Sequence, residues 1–300
     1  MKSTAIRLII LFSARALFVT NFIAHAEQLD LEKVKASAAK GDAGAQFSLG
    51  KAFFQGEGVT QDYGKAVDLY LKSAAQGNAK AENNLAVCYL QGRGTKQDYP
   101  EAAKWFRAAA SQGVAFAEDS LGSMLANGLG GPKNCKEAAE WYRKAAEQGL
   151  AVAQLHLGHL YYFGEEGVEK NYGEAANWLF KAAEQGNASA QNTLGVLYQD
   201  GLGVERDMKK AFDWYRKAAR QGDAKAQSNL GEMYSRGFGV ARDNARAYQW
   251  LKLSADQGEI TAERLLHVIE KTMTPIELEE GKRLVEEFRA PVSSSGTNGT

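Results

Sequence analysis

The five tryptophans of this chain are evenly spaced, and this spacing limits the possible fold more than any other feature. Trp105, Trp141, Trp178, Trp214 and Trp250 are separated by 36, 37, 36 and 36 residues. A set of glycines keeps the same period, at Gly41, Gly77, Gly113, Gly149, Gly186, Gly222 and Gly258. A fixed period in this range is typical of a repeat array, in which each unit packs only on its neighbours.

The unit at residues 187–222 has two halves, and each half predicts a helix. In the first half Ala190, Leu194 and Leu197 fall at i, i+4 and i+7, which places them on one stripe of a helix. The stretch 211–219 repeats this pattern with alanines and aromatic residues. The unit is therefore expected to be a helix hairpin.

The loop between the two halves carries signals that end one helix and begin the next. Gly201 and Gly203 are suited to end a helix, because glycine readily takes the left-handed conformation. A phosphate-binding loop is the alternative interpretation of this G-x-G pair, but the flanking strand and the lysine of such a loop are missing. Asp207 is placed to cap the next helix. Its counterparts in the other units are Asp62, Asp98, Asn134, Asn171 and Asp243. Gly195, inside the first helix, costs roughly 1 kcal/mol relative to alanine, and its counterpart Ala86 is also small, so close helix contact is expected.

The pattern AxxxLGxxYxxGxGVxxDxxKAxxWYxKAAxQG resembles the Sel1-like repeat, a longer relative of the tetratricopeptide repeat. Six copies span residues 43–258. The resemblance implies an all-α fold, a right-handed superhelical solenoid of helix hairpins. It also implies a protein or peptide partner in a concave groove, a frequent location in bacterial envelopes, and no catalysis in most members.

The ends of the chain differ from the array. Residues 1–26 have a basic start, an apolar run and an A-x-A site, which indicate a signal peptide; an uncleaved anchor or a disordered leader are the alternatives. Residues 27–42 are expected to form an N-terminal cap helix and residues 259–289 the C-terminal capping helices, the last one starting at a Thr274–Glu277 capping box. Residues 290–300 are expected to be a disordered tail. The mature protein should be exported, periplasmic or secreted, without stable membrane insertion.

Charge and motif content narrow the function classes. With 36 basic and 36 acidic residues the net charge is zero, so the chain lacks the excess of positive charge that is typical of nucleic-acid-binding proteins. No acid/base or nucleophile constellation is visible, which fits what the resemblance implies: a non-catalytic, monomeric scaffold or regulator of the bacterial envelope, with no cofactor or metal. The alternatives are an enzyme acting on cell-wall or β-lactam substrates and a secreted host-interaction factor. Cys88 and Cys135 occupy different repeat phases, which favours free buried thiols over a disulfide.

The candidate partner-binding residues lie on the first helices. The residue before each core leucine is polar, and Asn84, Thr193 and Asn229 in this column can hold a peptide backbone; ordinary solvated polarity is the alternative. The fourth repeat instead presents apolar, aromatic and histidine side chains, which suggest a binding patch. These are Val152, Leu155, His156, His159, Tyr162 and Phe163, with Phe116 in the third repeat. Packing between repeats and a two-histidine metal site are the other readings of this patch.

Overall fold

The computed structural model describes residues 31–289, so the predicted signal peptide at residues 1–26 and the predicted tail at residues 290–300 lie outside the described residues. The described chain forms two compact units, the first ending at Lys144 and the second beginning at Ala145. Both units consist of α-helices arranged as successive antiparallel hairpins, and the all-α class predicted from the repeats is confirmed. Between residues 31 and 289 the strand content is limited to one isolated antiparallel bridge, Glu165 to Val168, in the loop that carries one extra residue.

The helices follow the sequence period. In chain order they are α1 (described part 31–39), α2 (Ala43–Gln55), α3 (Tyr63–Ala74), α4 (Ala79–Gln91), α5 (Tyr99–Ser111), α6 (Ala115–Asn127), α7 (Cys135–Glu147), α8 (Ala151–Phe163), α9 (Tyr172–Glu184), α10 (Ala188–Asp200), α11 (Met208–Arg220), α12 (Ala224–Arg236), α13 (Asn244–Ala255), α14 (Ile260–Glu270) and α15 (Pro275–Arg289). Each even-numbered helix from α2 to α12 is the first helix of a repeat, and the following odd-numbered helix is its second.

The predicted caps set these boundaries. The Asp207 carboxylate accepts from the amides of Lys209 and Lys210 at 3.0 and 2.9 Å, which satisfies N–H groups that a helix start leaves unpaired. The equivalent contact is present at the other five predicted caps, Asp62, Asp98, Asn134, Asn171 and Asp243. At the far end, the predicted Thr274–Glu277 capping box is also confirmed, because the Thr274 amide donates to the Glu277 carboxylate at 2.7 Å and the Glu277 amide donates back to the Thr274 hydroxyl at 3.3 Å.

The two glycines of the loop between α10 and α11 have different structural roles. Gly201 ends α10 in the left-handed conformation, and its amide donates to the Leu197 carbonyl, as predicted. Gly203 also has a positive φ, but a Cβ there would lie 2.3 Å from the carbonyl oxygen of Tyr172 in the preceding repeat. Only glycine permits this approach of backbone to backbone, so the second glycine fixes how one repeat packs on the previous one.

Buried glutamine contacts join the two helices of a repeat and also link one repeat to the preceding one within a unit. The Gln191 amide nitrogen donates to the Ala183 carbonyl at 3.0 Å, and its oxygen accepts from Gln221 at 2.8 Å. The same glutamine pair recurs as Gln46–Gln76, Gln154–Gln185 and Gln227–Gln257. In the second repeat a carboxyl group replaces the first amide: Glu82 accepts from Gln112 at 2.8 Å, and burial raises the pKa of Glu82 above its ordinary value. These contacts were not predicted from the sequence.

The cysteines of the first unit behave as predicted. Cys88 and Cys135 are both buried and free. Burial raises the pKa of the Cys88 thiol to about 11, so this group stays protonated at neutral pH and is a small apolar core residue rather than a nucleophile.

Candidate functional site

The aromatic cluster on α8 is the most exposed apolar feature among the predicted site residues of the second unit. Phe163 is the last residue of this helix and is 62% exposed. Its ring lies edge-on to Tyr162 and to His159, at centroid distances of 4.9 and 5.9 Å. The residues at the equivalent position of the other five repeats are all polar, namely Gln55, Gln91, Asn127, Asp200 and Arg236. The fourth repeat therefore differs from the others in exposing an aromatic ring at this position, and the repeat fold does not require an aromatic residue there.

Two other members of the predicted patch are partly core residues. Leu155 and Tyr162 are half-buried and pack against the core cluster built around Leu194 and Leu197. Tyr162 also lies edge-on to Tyr172 at 5.6 Å, so part of its ring holds the hairpin together. Leu155 and Tyr162 therefore contribute to packing between repeats, which was the alternative interpretation of the patch. Phe163 is the main candidate for anchoring a partner.

His159 is held as a neutral ring. Its Nε2 lies 3.2 Å from the Thr193 hydroxyl on α10. Burial lowers the pKa of His159 to about 4, and the nearby His156 and Lys225 lower it further in the same direction. At neutral pH this imidazole is thus a hydrogen-bonding group without charge. Between residues 31 and 289 no group of three or more histidine, cysteine, aspartate or glutamate side chains is placed to hold a metal ion.

The predicted backbone-holding residues are partly engaged with the protein itself. Asn229 donates to the Asn192 carboxamide oxygen at 3.0 Å, and the Thr193 hydroxyl donates to the Ser189 carbonyl at 2.9 Å. A carboxamide has two donor hydrogens and an acceptor oxygen. Asn229 therefore keeps capacity for a partner, whereas the hydroxyl of Thr193 is already used by two neighbours, Ser189 and His159.

The first unit contains the two remaining predicted residues. Asn84 donates to the Tyr70 hydroxyl at 3.3 Å and lines a cavity of about 200 Å³. The other lining residues, none of them predicted from the sequence as site residues, are Lys51, Phe54, Gln55, Tyr70 and Val87. Phe116, on α6, is 65% exposed. Asn84 and Phe116 belong to the first unit and the α8 cluster to the second.

Comparison with known proteins identifies the array. A model of the Sel1 repeat matches six consecutive segments, residues 43–78, 79–114, 115–150, 151–187, 188–223 and 224–259. The chain belongs to the Sel1 repeat family. Sel1 repeat proteins in general are protein-interaction scaffolds of the tetratricopeptide type and are not catalytic.

Solved Sel1 structures resemble this chain to different extents. A Sel1 repeat protein from Oxalobacter formigenes is 33% identical over 77% of this chain and 96% of its own, with a TM-score of 0.65. A protective antigen from uropathogenic Escherichia coli is 29% identical over 87% of this chain and 72% of its own, with a TM-score of 0.39. No functionally curated protein gives a significant match. In the part of the chain described, no helix combines the length and apolarity that a membrane crossing requires.

Proposed function

We propose that this Sel1 repeat protein is a scaffold or regulator of the bacterial cell envelope that binds a protein or peptide against the first helices of its repeats. The general role of the family supports binding over the enzyme alternative. The envelope location rests on residues 1–26, whose basic start, apolar run and A-x-A site are typical of an export signal.

The observation that carries the binding proposal is the exposed Phe163 ring at a repeat position that is polar elsewhere. Interface hot spots are commonly aromatic residues that lose water on binding, and truncating one costs about 2 kcal/mol or more. The Phe163 ring packs edge-on against Tyr162, so it offers a rigid apolar surface and loses little conformational entropy on binding. Asn229 adds a polar group able to bond to a peptide backbone.

Site-specific photo-crosslinking in intact cells tests this proposal. The chain offers a matched control in Phe180, an exposed phenylalanine on the second helix of the same repeat, 45% exposed. A photoreactive phenylalanine analogue at position 163 should give a discrete adduct with a partner, and the same analogue at position 180 should not. Adducts of equal yield from both positions, or from neither, would remove Phe163 as the anchor.

The affinity of the crosslinked partner gives a second measure. Phe163→Ala should weaken binding by roughly 30-fold, the factor that corresponds to about 2 kcal/mol, while Phe180→Ala leaves it unchanged. The melting temperature of Phe163→Ala should stay that of the parent because the ring is exposed. A lower melting temperature together with weaker binding would mean that the ring packs the repeats instead.

The envelope location has its own test. Mature protein recovered from outside the cytoplasmic membrane should begin at Glu27. Protein that keeps Met1 and fractionates with the cytosol would contradict the location while leaving the binding site intact.

A further inference from the structure

The third repeat lacks a side chain that fills an inter-helix space in other repeats. The residue after the second loop glycine is a valine in four repeats, at Val59, Val168, Val204 and Val240. Val168 is buried, and Val204 and Val240 pack against the core clusters of their repeats. The third repeat has Gly131 here. A Cβ built on Gly131 meets no atom within 4 Å, and its φ lies outside the left-handed region, so the backbone does not require glycine.

Gly131 lines a cleft on the first unit. This cleft has a volume of about 250 Å³. Its lining includes Leu121, Met124 and Leu125 of α6, the first two of them buried, and Leu129 of the loop, which is 37% exposed. An apolar cavity of roughly 150 Å³ is large enough to bind benzene. The cleft therefore has room for an aliphatic side chain supplied from outside.

An ion pair stands at the edge of this apolar cleft. Arg107 of α5 and Glu137 of α7 both line it, and Arg107 Nη1 lies 2.6 Å from Glu137 Oε1. Both side chains remain partly exposed, at 48% and 28%. A guanidinium has five N–H donors, so Arg107 keeps several of them after pairing. The Glu137 carboxylate also accepts from Trp141 Nε1 at 3.2 Å and from Asn134 Nδ2 at 3.3 Å, which leaves about one of its four lone-pair sites. A donor and an acceptor side by side match the carbonyl and amide of a peptide main chain.

We propose that this cleft (the Gly131 cleft) is a second binding site, which takes one branched aliphatic side chain of a partner polypeptide. The chemistry of the occupant follows from the chain itself, since valine packs into the core at the equivalent position of three other repeats. The Arg107–Glu137 pair then bonds to the main chain on either side of the inserted residue. The site uses neither α8 nor Phe163, so it is independent of the function proposed above.

Methionine-methyl NMR with a small probe tests this inference directly. The chain has five methionines, of which Met124 lines the cleft and Met233 is buried in the other unit. On titration of the full chain, labelled at the methionine methyl groups, with N-acetylleucinamide, the Met124 signal should shift and saturate while Met233 stays fixed. The dissociation constant should be on the order of millimolar, as expected for so small a ligand. N-acetylglycinamide should leave Met124 unchanged.

Two variants complete the test. Gly131→Val places in the cleft the side chain that the other repeats carry, so it should weaken the Met124 response at least tenfold and raise the melting temperature. Thr95→Val makes the corresponding change in the second repeat, away from the cleft, and should leave the response unchanged. The inference is overturned if Met124 does not respond to N-acetylleucinamide, or if Gly131→Val responds as strongly as the parent chain.

Discussion

Gly195→Ala tests how closely the two helices of a repeat pack, because an alanine Cβ at this site would clash with the facing helix. It would lie 2.6 Å from Cε1 and 2.7 Å from Cδ1 of Tyr215. Tyr215 is fully buried, and its hydroxyl donates to the Gln199 side chain at 3.2 Å, so the ring is held at both ends. The substitution therefore forces the helices apart or moves a ring out of place.

The net effect is a difference between two opposing terms. Replacing glycine by alanine inside a helix gains roughly 1 kcal/mol of helix propensity. Overpacking a filled core costs about 1–3 kcal/mol, and contacts below 3 Å with a buried ring belong to the upper part of that range. We therefore expect a net loss of about 2 kcal/mol. For a chain of this size the melting temperature, followed by far-UV circular dichroism, should fall by roughly 3–4 °C.

Gly173→Ala is the matched control. Gly173 lies in the first turn of α9, and an added Cβ there meets only the Asn171 side chain, at 3.4 Å. This variant should be stabilised by about 0.4–1 kcal/mol. An equal or higher melting temperature for Gly195→Ala than for the parent chain would show that the helix contact is not what requires glycine.

Two further predictions follow from buried and terminal polar contacts. Because burial raises the folded-state pKa of Glu82, its stabilising contribution is complete below its ordinary pKa of 4.5 and is lost as pH rises through the folded value. Glu82→Gln, which restores the glutamine pair of other repeats, should raise stability at pH 7 by about 1 kcal/mol and less at pH 4, and an equal gain in thermal melts at both pH values would contradict this. Thr274→Ala removes the capping box of α15 and should cost about 1 kcal/mol, with faster amide exchange confined to the first turn; protection equal to the parent would show that the cap is not needed.

The repeat period was sufficient to predict the hairpins, their caps and the small residue at Gly195, because each recurs in register and each copy supports the others. The exposure of the individual candidate binding residues was not predictable in the same way. Leu155 and Tyr162 share a helix face with Phe163. They are half-buried because they pack against core residues of the neighbouring repeat, whereas Phe163 stays exposed. The buried Gln191 contact was missed because glutamine suggests a surface, although its recurrence at one repeat position was visible in the sequence.

Internal repetition also supplies a criterion for separating structural from functional departures. A departure that stays inside the core needs no partner: the second repeat has Ala86 where the five others have glycine, and Ala86 is buried in the same core cluster as Phe106. A departure that exposes apolar groups leaves a surface that the fold alone does not explain. Gly131 lines an apolar cleft, and Phe163 exposes a ring where the other repeats are polar. Since exposed apolar area carries a cost in water, these two sites are where partners are expected to bind.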